Sequence, residues 1–186
     1  MRIISGSLKG RQLQLPKGSE ARPTSDRARE ALFNILQPRI LGARVLDLFA
    51  GSGALGVEAL SRGAARCLFV ELDKANARAL RESLARFDIQ KERGMVINGD
   101  FRRVAPQLAR EGERFDLILL DPPYEAGYYS EAMTVSCRLL APQGCIVVEH
   151  QRGYKLPEAP DNLTMTDQRQ YGKNTMSFYH VKENME

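Results

Sequence analysis

The chain has 186 residues, 43% of them apolar and 27% charged. That supports one folded domain with at most a small appendage and excludes a disordered or fibrous chain. No run approaches the roughly 20 apolar residues of a membrane helix, and MRIISGSLKGRQ carries no hydrophobic leader, so a cytoplasmic protein with no membrane partner is expected. Cys67, Cys137 and Cys145 are odd in number and lack Cys-x-x-Cys spacing. With only His150 and His180 beside them, they predict reduced thiols and no metal centre. The net charge of +4 is unevenly spread, because residues 1–45 hold nine Lys/Arg against three acids. A basic front end on a slightly acidic body suits a polyanionic partner, although a solvated basic face has the same composition.

Residues 2–15 alternate weakly around Ser5-Gly6-Ser7 and Lys9-Gly10, which predicts a β-hairpin extending from the main fold. A loop over Pro16 to Pro23 leads to the cap candidates Thr24, Ser25 and Asp26. Ala28, Ala31, Leu32, Ile35 and Leu36 then fall at helical spacing, so an amphipathic helix is expected, stopping before Pro38. From there strand and helix periods alternate. Strands are read at Arg44 to Phe49, Arg66 to Glu71, Met95 to Asn98, Phe115 to Leu120 and Cys145 to Glu149, with helices between them. The helix after the first strand opens at Gly51, and later ones cover Lys74 to Phe87 and Phe101 to Arg110, with another striped by Tyr128, Ala132, Val135 and Leu139. Leu163 to Arg169 and Thr175 to Lys182 read as a closing antiparallel pair. Strands that alternate with crossover helices predict a doubly wound α/β sheet with helices on both faces.

FDLILL ends abruptly in Asp121-Pro122-Pro123-Tyr124. A continuous apolar run of this length suits a strand buried on both faces, whose carboxyl end is where ligands sit in such folds. The prolines have no N–H and a fixed φ, so the carbonyls beside them point in a set direction. An acceptor side chain before them and a flat ring after them would suit a nucleobase with an exocyclic amine. A strand closed by a proline turn with a solvent-facing Tyr is the plainer reading.

Gly51-Ser52-Gly53-Ala54-Leu55-Gly56 satisfies G-x-G-x-x-G, with Glu71 twenty residues on, so a nicotinamide dinucleotide has to be weighed. Asp47 opposes it. A carboxylate four residues before the first glycine repels phosphate and attracts a cation such as a sulfonium. An adenosine-bearing cation fits better, with Glu71 on a ribose diol and Phe101 over the adenine. Asp100 would accept from the adenine amine, cap the helix that starts at Phe101, or do both.

DLFAGSGALGVEAL together with DPPY resembles the class I S-adenosylmethionine-dependent methyltransferases that act on exocyclic base amines. More narrowly, RIISGSLKGRQLQLPKG, RPTSDRAREALFNIL and QYGKN resemble the RsmD family of 16S rRNA (guanine-N2)-methyltransferases over nearly the whole chain. The resemblance implies a Rossmann-like seven-stranded sheet, S-adenosyl-L-methionine as cofactor, and methylation of a guanine N2 in 16S rRNA or the assembling small ribosomal subunit. It further implies a cofactor site at Asp47, Phe49, Ala50, Gly51, Ser52, Gly53, Glu71, Leu72, Asp100 and Phe101. The base pocket would be Asp121, Pro122, Pro123 and Tyr124.

Residues 1–40 are expected to be a basic RNA-binding extension of a methyltransferase domain at 41–186, with Arg2, Lys9, Arg11, Arg22, Arg27 and Arg29 on RNA phosphates. The protein is expected to act as a monomer. A DNA adenine-N6 methyltransferase would use the same pocket chemistry, and an assembly factor without turnover would share the fold.

Overall fold

The computed structural model describes residues 1–16, 26–124, 127–160 and 162–182. The elements run α1 (Asp26–Ile40), β1 (Arg44–Asp47), α2 (Ala54–Ser61), β2 (Arg66–Glu71), α3 (Lys74–Arg86), β3 (Gly94–Asn98), α4 (Phe101–Arg110), β4 (Phe115–Leu120), α5 (Tyr129–Cys137), β5 (Leu140–Gln151), β6 (Leu163–Tyr171) and β7 (Asn174–Val181). They build the expected α/β architecture, a seven-stranded sheet in the order β3-β2-β1-β4-β5-β7-β6. Strands β1 to β5 run parallel to one another, while β7 runs antiparallel to both β5 and β6.

Strand alternation assigns side chains to two cores. Val45, Phe69, Leu117 and Val147 face α1, α2 and α3, together with Leu36, Val57 and Leu80. Leu46, Val70, Ile118 and Val148 face α4 and α5, together with Leu108 and Met133. Both faces of the sheet are therefore covered, which is why its strands read as apolar runs rather than as alternating ones. The chain winds outward from β1 to β3 with helices on one face. It then crosses back through α4 to β4, on the other side of β1. Neighbouring strands β1 and β4 thus send their connections in opposite directions, and a crevice opens between their carboxyl ends.

Four expectations about the elements need correction. Helix α1 does not stop before Pro38 but runs through it to Ile40, which is fully buried. A proline this close to the end removes one backbone bond, and burial of Ile40 in the core offsets that loss. The buried stripe of α1 is Ala28, Leu32, Leu36 and Ile40, with Arg29 and Phe33 beside it, while Ile35 is exposed. Strand β1 ends at Asp47 and α2 begins at Ala54, so Leu48 to Gly53 form a connecting loop. Strand β5 starts earlier, at Leu140, through a register shift opposite Phe115 and Leu117. Of the α1 cap candidates, Thr24 and Ser25 lie outside the described residues, as does most of the loop before them.

The N-terminal hairpin is laid on the fold rather than extended from it. Arg2 and Gln12 form an antiparallel bridge, and Ile3 and Leu13 are buried in the same core as α1 and α2. Its unpaired backbone donors are taken up by α2. The Glu58 carboxylate accepts from Ile4 N (2.8 Å) and Ser5 N (3.0 Å), and Ser61 Oγ accepts from Leu8 N (2.9 Å). Buried backbone groups need such partners, and here two helix side chains supply them.

Candidate methyl-transfer site

A cleft of about 750 Å³ lies at the carboxyl ends of β1, β2 and β4, where the strand order reverses. Of the residues predicted for cofactor and base, all but Gly53 line it. Gly53 works from behind. Its φ of +79° is left-handed, which suits glycine, and it sets the turn into α2. Gly56, one turn further, lies so close to β2 that a Cβ would overlap the Phe69 ring and sit 2.6 Å from Cys67 Sγ. The glycine spacing therefore serves a tight turn and a close helix–strand packing.

Two carboxylates take up backbone donors of the glycine segment. Asp47 is buried and its Oδ2 accepts from Gly56 N at 3.0 Å. Glu71 Oε2 accepts from Gly51 N at 2.6 Å and its Oε1 from Asp73 N at 2.7 Å. The loop's donors are thus already committed to acids, which disfavours phosphate and suits a cation and a diol. Burial, reinforced by nearby Glu71 and opposed by the Gly56 bond, pushes the Asp47 carboxyl up to about 7. A cation entering the cleft would restore its ionised form.

The far wall is aromatic. Phe49 and Phe101 lie 4.9 Å apart between ring centroids, Phe49 and Tyr128 are nearly parallel at 6.4 Å, and Tyr128 lies edge-on to Phe101 at 5.4 Å. Leu72, an exposed apolar residue, completes this side. Asp100 caps α4 by accepting from Arg102 N at 2.9 Å, and the Arg102 side chain holds its carboxyl below the usual range. The capping role read from the sequence is therefore present, and Asp100 also lines the cleft.

Asp121 follows directly on β4, next to β1. Burial above all, then the neighbouring acids Glu149 and Asp47, raises its carboxyl well above the ordinary value. Pro122 is buried, Pro123 is exposed, and Tyr124 is half-buried with its hydroxyl 3.4 Å from Asn174 Oδ1. The amide of Asn174 in turn donates to Glu149 Oε1 at 2.5 Å. Tyr128, Glu149 and Asn174, with Met1 at the cleft's edge, are residues that sequence reasoning did not place at this site. Asn174 stands in the QYGKN segment, so a signal existed. Glu149 reads as an ordinary strand end.

The six basic candidates divide. Arg2, Lys9, Arg11 and Arg27 are exposed, and Arg22 lies outside the described residues. The Arg11 guanidinium donates to Arg86 O at 3.0 Å and lies over the Phe87 ring, which pins the hairpin to α3. Arg29 is a correction. Its side chain is fully buried, 3.0 Å from Asp26 Oδ1 and 3.9 Å from Glu58, so it is an internal charge partner and not a surface contact for phosphates. The helical period that brings Ala28 and Leu32 inward carries Arg29 with them, and Glu58 makes that burial tolerable. Among the described residues no group of His, Cys, Asp and Glu could hold a metal ion, and no helix is long and apolar enough to cross a membrane.

Residues 1–180 match the family described as Conserved hypothetical protein 95. The chain is 37% identical over 181 residues to ribosomal RNA small subunit methyltransferase D of Escherichia coli (strain K12), across 96% of this chain and 89% of that protein. It belongs to the ribosomal RNA small subunit methyltransferase D family. A hypothetical protein of Thermus thermophilus superposes with a TM-score of 0.83 at 32% identity, covering 97% of this chain and 99% of its own. At 16% identity the fold extends to SMU.776, solved in complex with SAH, with a TM-score of 0.68 over 82% of this chain and 49% of that one. Within the RsmD family, the DPPY segment and glycine loop of this chain share one cleft.

Proposed function

We propose that this protein transfers the methyl group of S-adenosylmethionine to the exocyclic N2 of a guanine in 16S rRNA, acting as a cytoplasmic monomer on the RNA or the assembling small subunit. The observation that carries the reading is the single cleft shared by the glycine loop, Asp47 and Glu71 on one side and Asp121 to Tyr124 on the other. The residues fit the cofactor. Asp47 offers negative charge to its cationic part, Glu71 two oxygens to the ribose, and Phe101 and Leu72 an apolar seat for adenine.

When bound, the sulfonium supplies an electrophilic methyl carbon. The protein's part is to make a poor nucleophile competent, since the guanine N2 lone pair is delocalised into the ring. Asp121 and the Pro122 carbonyl each accept an N–H and hold the amine beside the methyl group, and alignment of this kind contributes up to roughly 7 to 11 kcal/mol. Positive charge grows on nitrogen during transfer, and the Asp121 carboxylate is complementary to it. Tyr124 stacks on the extruded base, an interaction of about 1 to 3 kcal/mol. The exposed basic side of the N-terminal hairpin and α1, both packed on the sheet domain, would face the RNA, with Arg2, Lys9, Arg11 and Arg27 on phosphates.

The test is methyl incorporation from labelled S-adenosylmethionine into small-subunit particles, naked 16S rRNA and duplex DNA, followed by mass spectrometry of the nucleosides. N2-methylguanosine from rRNA or particles is the expected product. N6-methyladenine appearing only in DNA would replace this reading with a DNA methyltransferase, and binding without any methylated product would leave an assembly factor.

A further inference from the structure

The carboxyl ends of β4 and β5 place two acids side by side. Leu120 pairs with Val148 in parallel register, so Asp121, the first residue past β4, stands beside Glu149, which is still in β5 and pairs with Met176 of β7. Glu149 is only 3% exposed. It is fixed by the hairpin that closes the sheet, where Asn174 donates to Glu149 Oε1 at 2.5 Å and accepts from the Tyr124 hydroxyl at 3.4 Å. One amide therefore ties Glu149 to the ring that flanks Asp121. A buried carboxylate beside another is costly, and a site that held Asp121 only as a hydrogen-bond acceptor would gain nothing from a second negative charge.

We propose that Glu149, held by Asn174, is a positioning residue that makes the Asp121 carboxylate the acceptor of the proton that leaves the substrate amine. The proposal rests on the methyl-transfer reading of the cleft. As the N2–CH3 bond forms, the S–CH3 bond breaks and its electron pair stays on sulfur. The alkylated nitrogen then carries the positive charge and loses one proton, and that proton passes to an Asp121 oxygen to give the neutral acid.

An isolated aspartate is a weak base for this purpose, because its proton affinity lies far below neutral pH. A second carboxylate in the same buried site raises it, as paired acids do elsewhere. The groups facing Asp121 are Glu149 from β5, Asp47 from β1 and Tyr129 from α5. The Tyr129 phenol is itself buried, and burial, then Tyr124, Asp121, Tyr154 and Glu149, raise it so that it stays protonated. Its hydroxyl has no hydrogen-bond partner among the described residues, so it does not quench either acid.

Glu149→Gln keeps an oxygen for Asn174 and removes the charge. Two measurements on the full chain separate the possibilities. One is a carbon-13 NMR titration of the Asp121 side-chain carboxyl. The other is the pH dependence of single-turnover methyl transfer to small-subunit particles. In the variant both the Asp121 titration and the acid limb of the rate are expected to move down together by about one pH unit, a tenfold change in proton affinity. Glu149→Asp, which keeps the charge, should restore part of the shift and guards against a folding artefact. An unchanged Asp121 titration in Glu149→Gln overturns the inference while leaving the methyl-transfer reading intact. A titration that moves while the acid limb stays put overturns the proton-acceptor role. Absence of methyl transfer by the unaltered protein to any nucleic acid overturns both readings, and the titration then still reports whether the two acids interact.

Discussion

Asp47 Oδ2 accepts the backbone N–H of Gly56 at 3.0 Å, which ties the end of the first strand to the first turn of α2 across the loop that faces the cleft. The bond fixes the loop, but it leaves a carboxylate buried near a second acid, Glu71.

Asp47→Asn is therefore expected to stabilise the free protein and to weaken cofactor binding. An amide oxygen can still accept from Gly56, while the buried charge is gone. The folded carboxyl is raised from 3.8 to about 7. Between those values the folded state holds a proton that the unfolded chain has released, so stability falls as pH rises through this window. Urea unfolding at pH 5 and pH 8 should show the variant gaining roughly 1 to 3 kcal/mol at the higher pH and little at the lower. Calorimetry should show S-adenosylmethionine binding at least tenfold weaker.

Glu58 is fully buried between Arg29 and Arg62, 2.8 Å from Arg62 Nε, and holds the hairpin backbone at Ile4 and Ser5. Glu58→Ala removes the shared acidic partner of two buried guanidinium groups and the acceptor of two amides. A loss of about 3 to 5 kcal/mol is expected in urea unfolding. Hydrogen exchange at Ile4 and Ser5 should accelerate even where the sheet stays protected.

Gly56→Ala places a Cβ against Phe69 and Cys67. The ring cannot retreat, because Phe69 is fully buried under α2. Thermal unfolding should show a destabilisation of about 1 to 3 kcal/mol, and cofactor affinity should fall as the loop is lifted.

Asp121→Asn should lower single-turnover methyl transfer by roughly 10² to 10⁴ while calorimetry shows cofactor affinity within a few-fold of the original. Full activity in this variant would remove the carboxylate from the chemistry.

Lys9→Glu, on the exposed face of the hairpin, should weaken binding to 16S rRNA and reduce the slope of log affinity against log salt by about one or more. Arg29→Ala should instead lower stability, since that side chain is buried beside Glu58. Filter binding at several salt concentrations, paired with thermal unfolding, distinguishes the two.

Much of this protein was legible along the chain because the signals are local. The alternation of apolar strand and amphipathic helix predicted the doubly wound sheet. DPPY at a strand end and the glycine turn identified both walls of the cleft before their distance was known. Local rules failed where burial outweighed propensity. Pro38 reads as a helix stop, yet Ile40 beyond it packs into the core. Arg29 reads as a surface cation, yet α1 turns it inward onto Glu58, a partner 29 positions away.

By itself the sequence determined which residues can carry charge, accept a proton or turn the backbone, since those properties belong to side chains and to φ. The tertiary structure alone decided which of them meet. Asp121 just past β4, Glu149 on β5 and Asn174 on β7 belong to three separate segments, and only the β4–β5–β7 register brings them to one end of the sheet. Register is set by the fit of two buried faces summed over every strand, a property no local window contains.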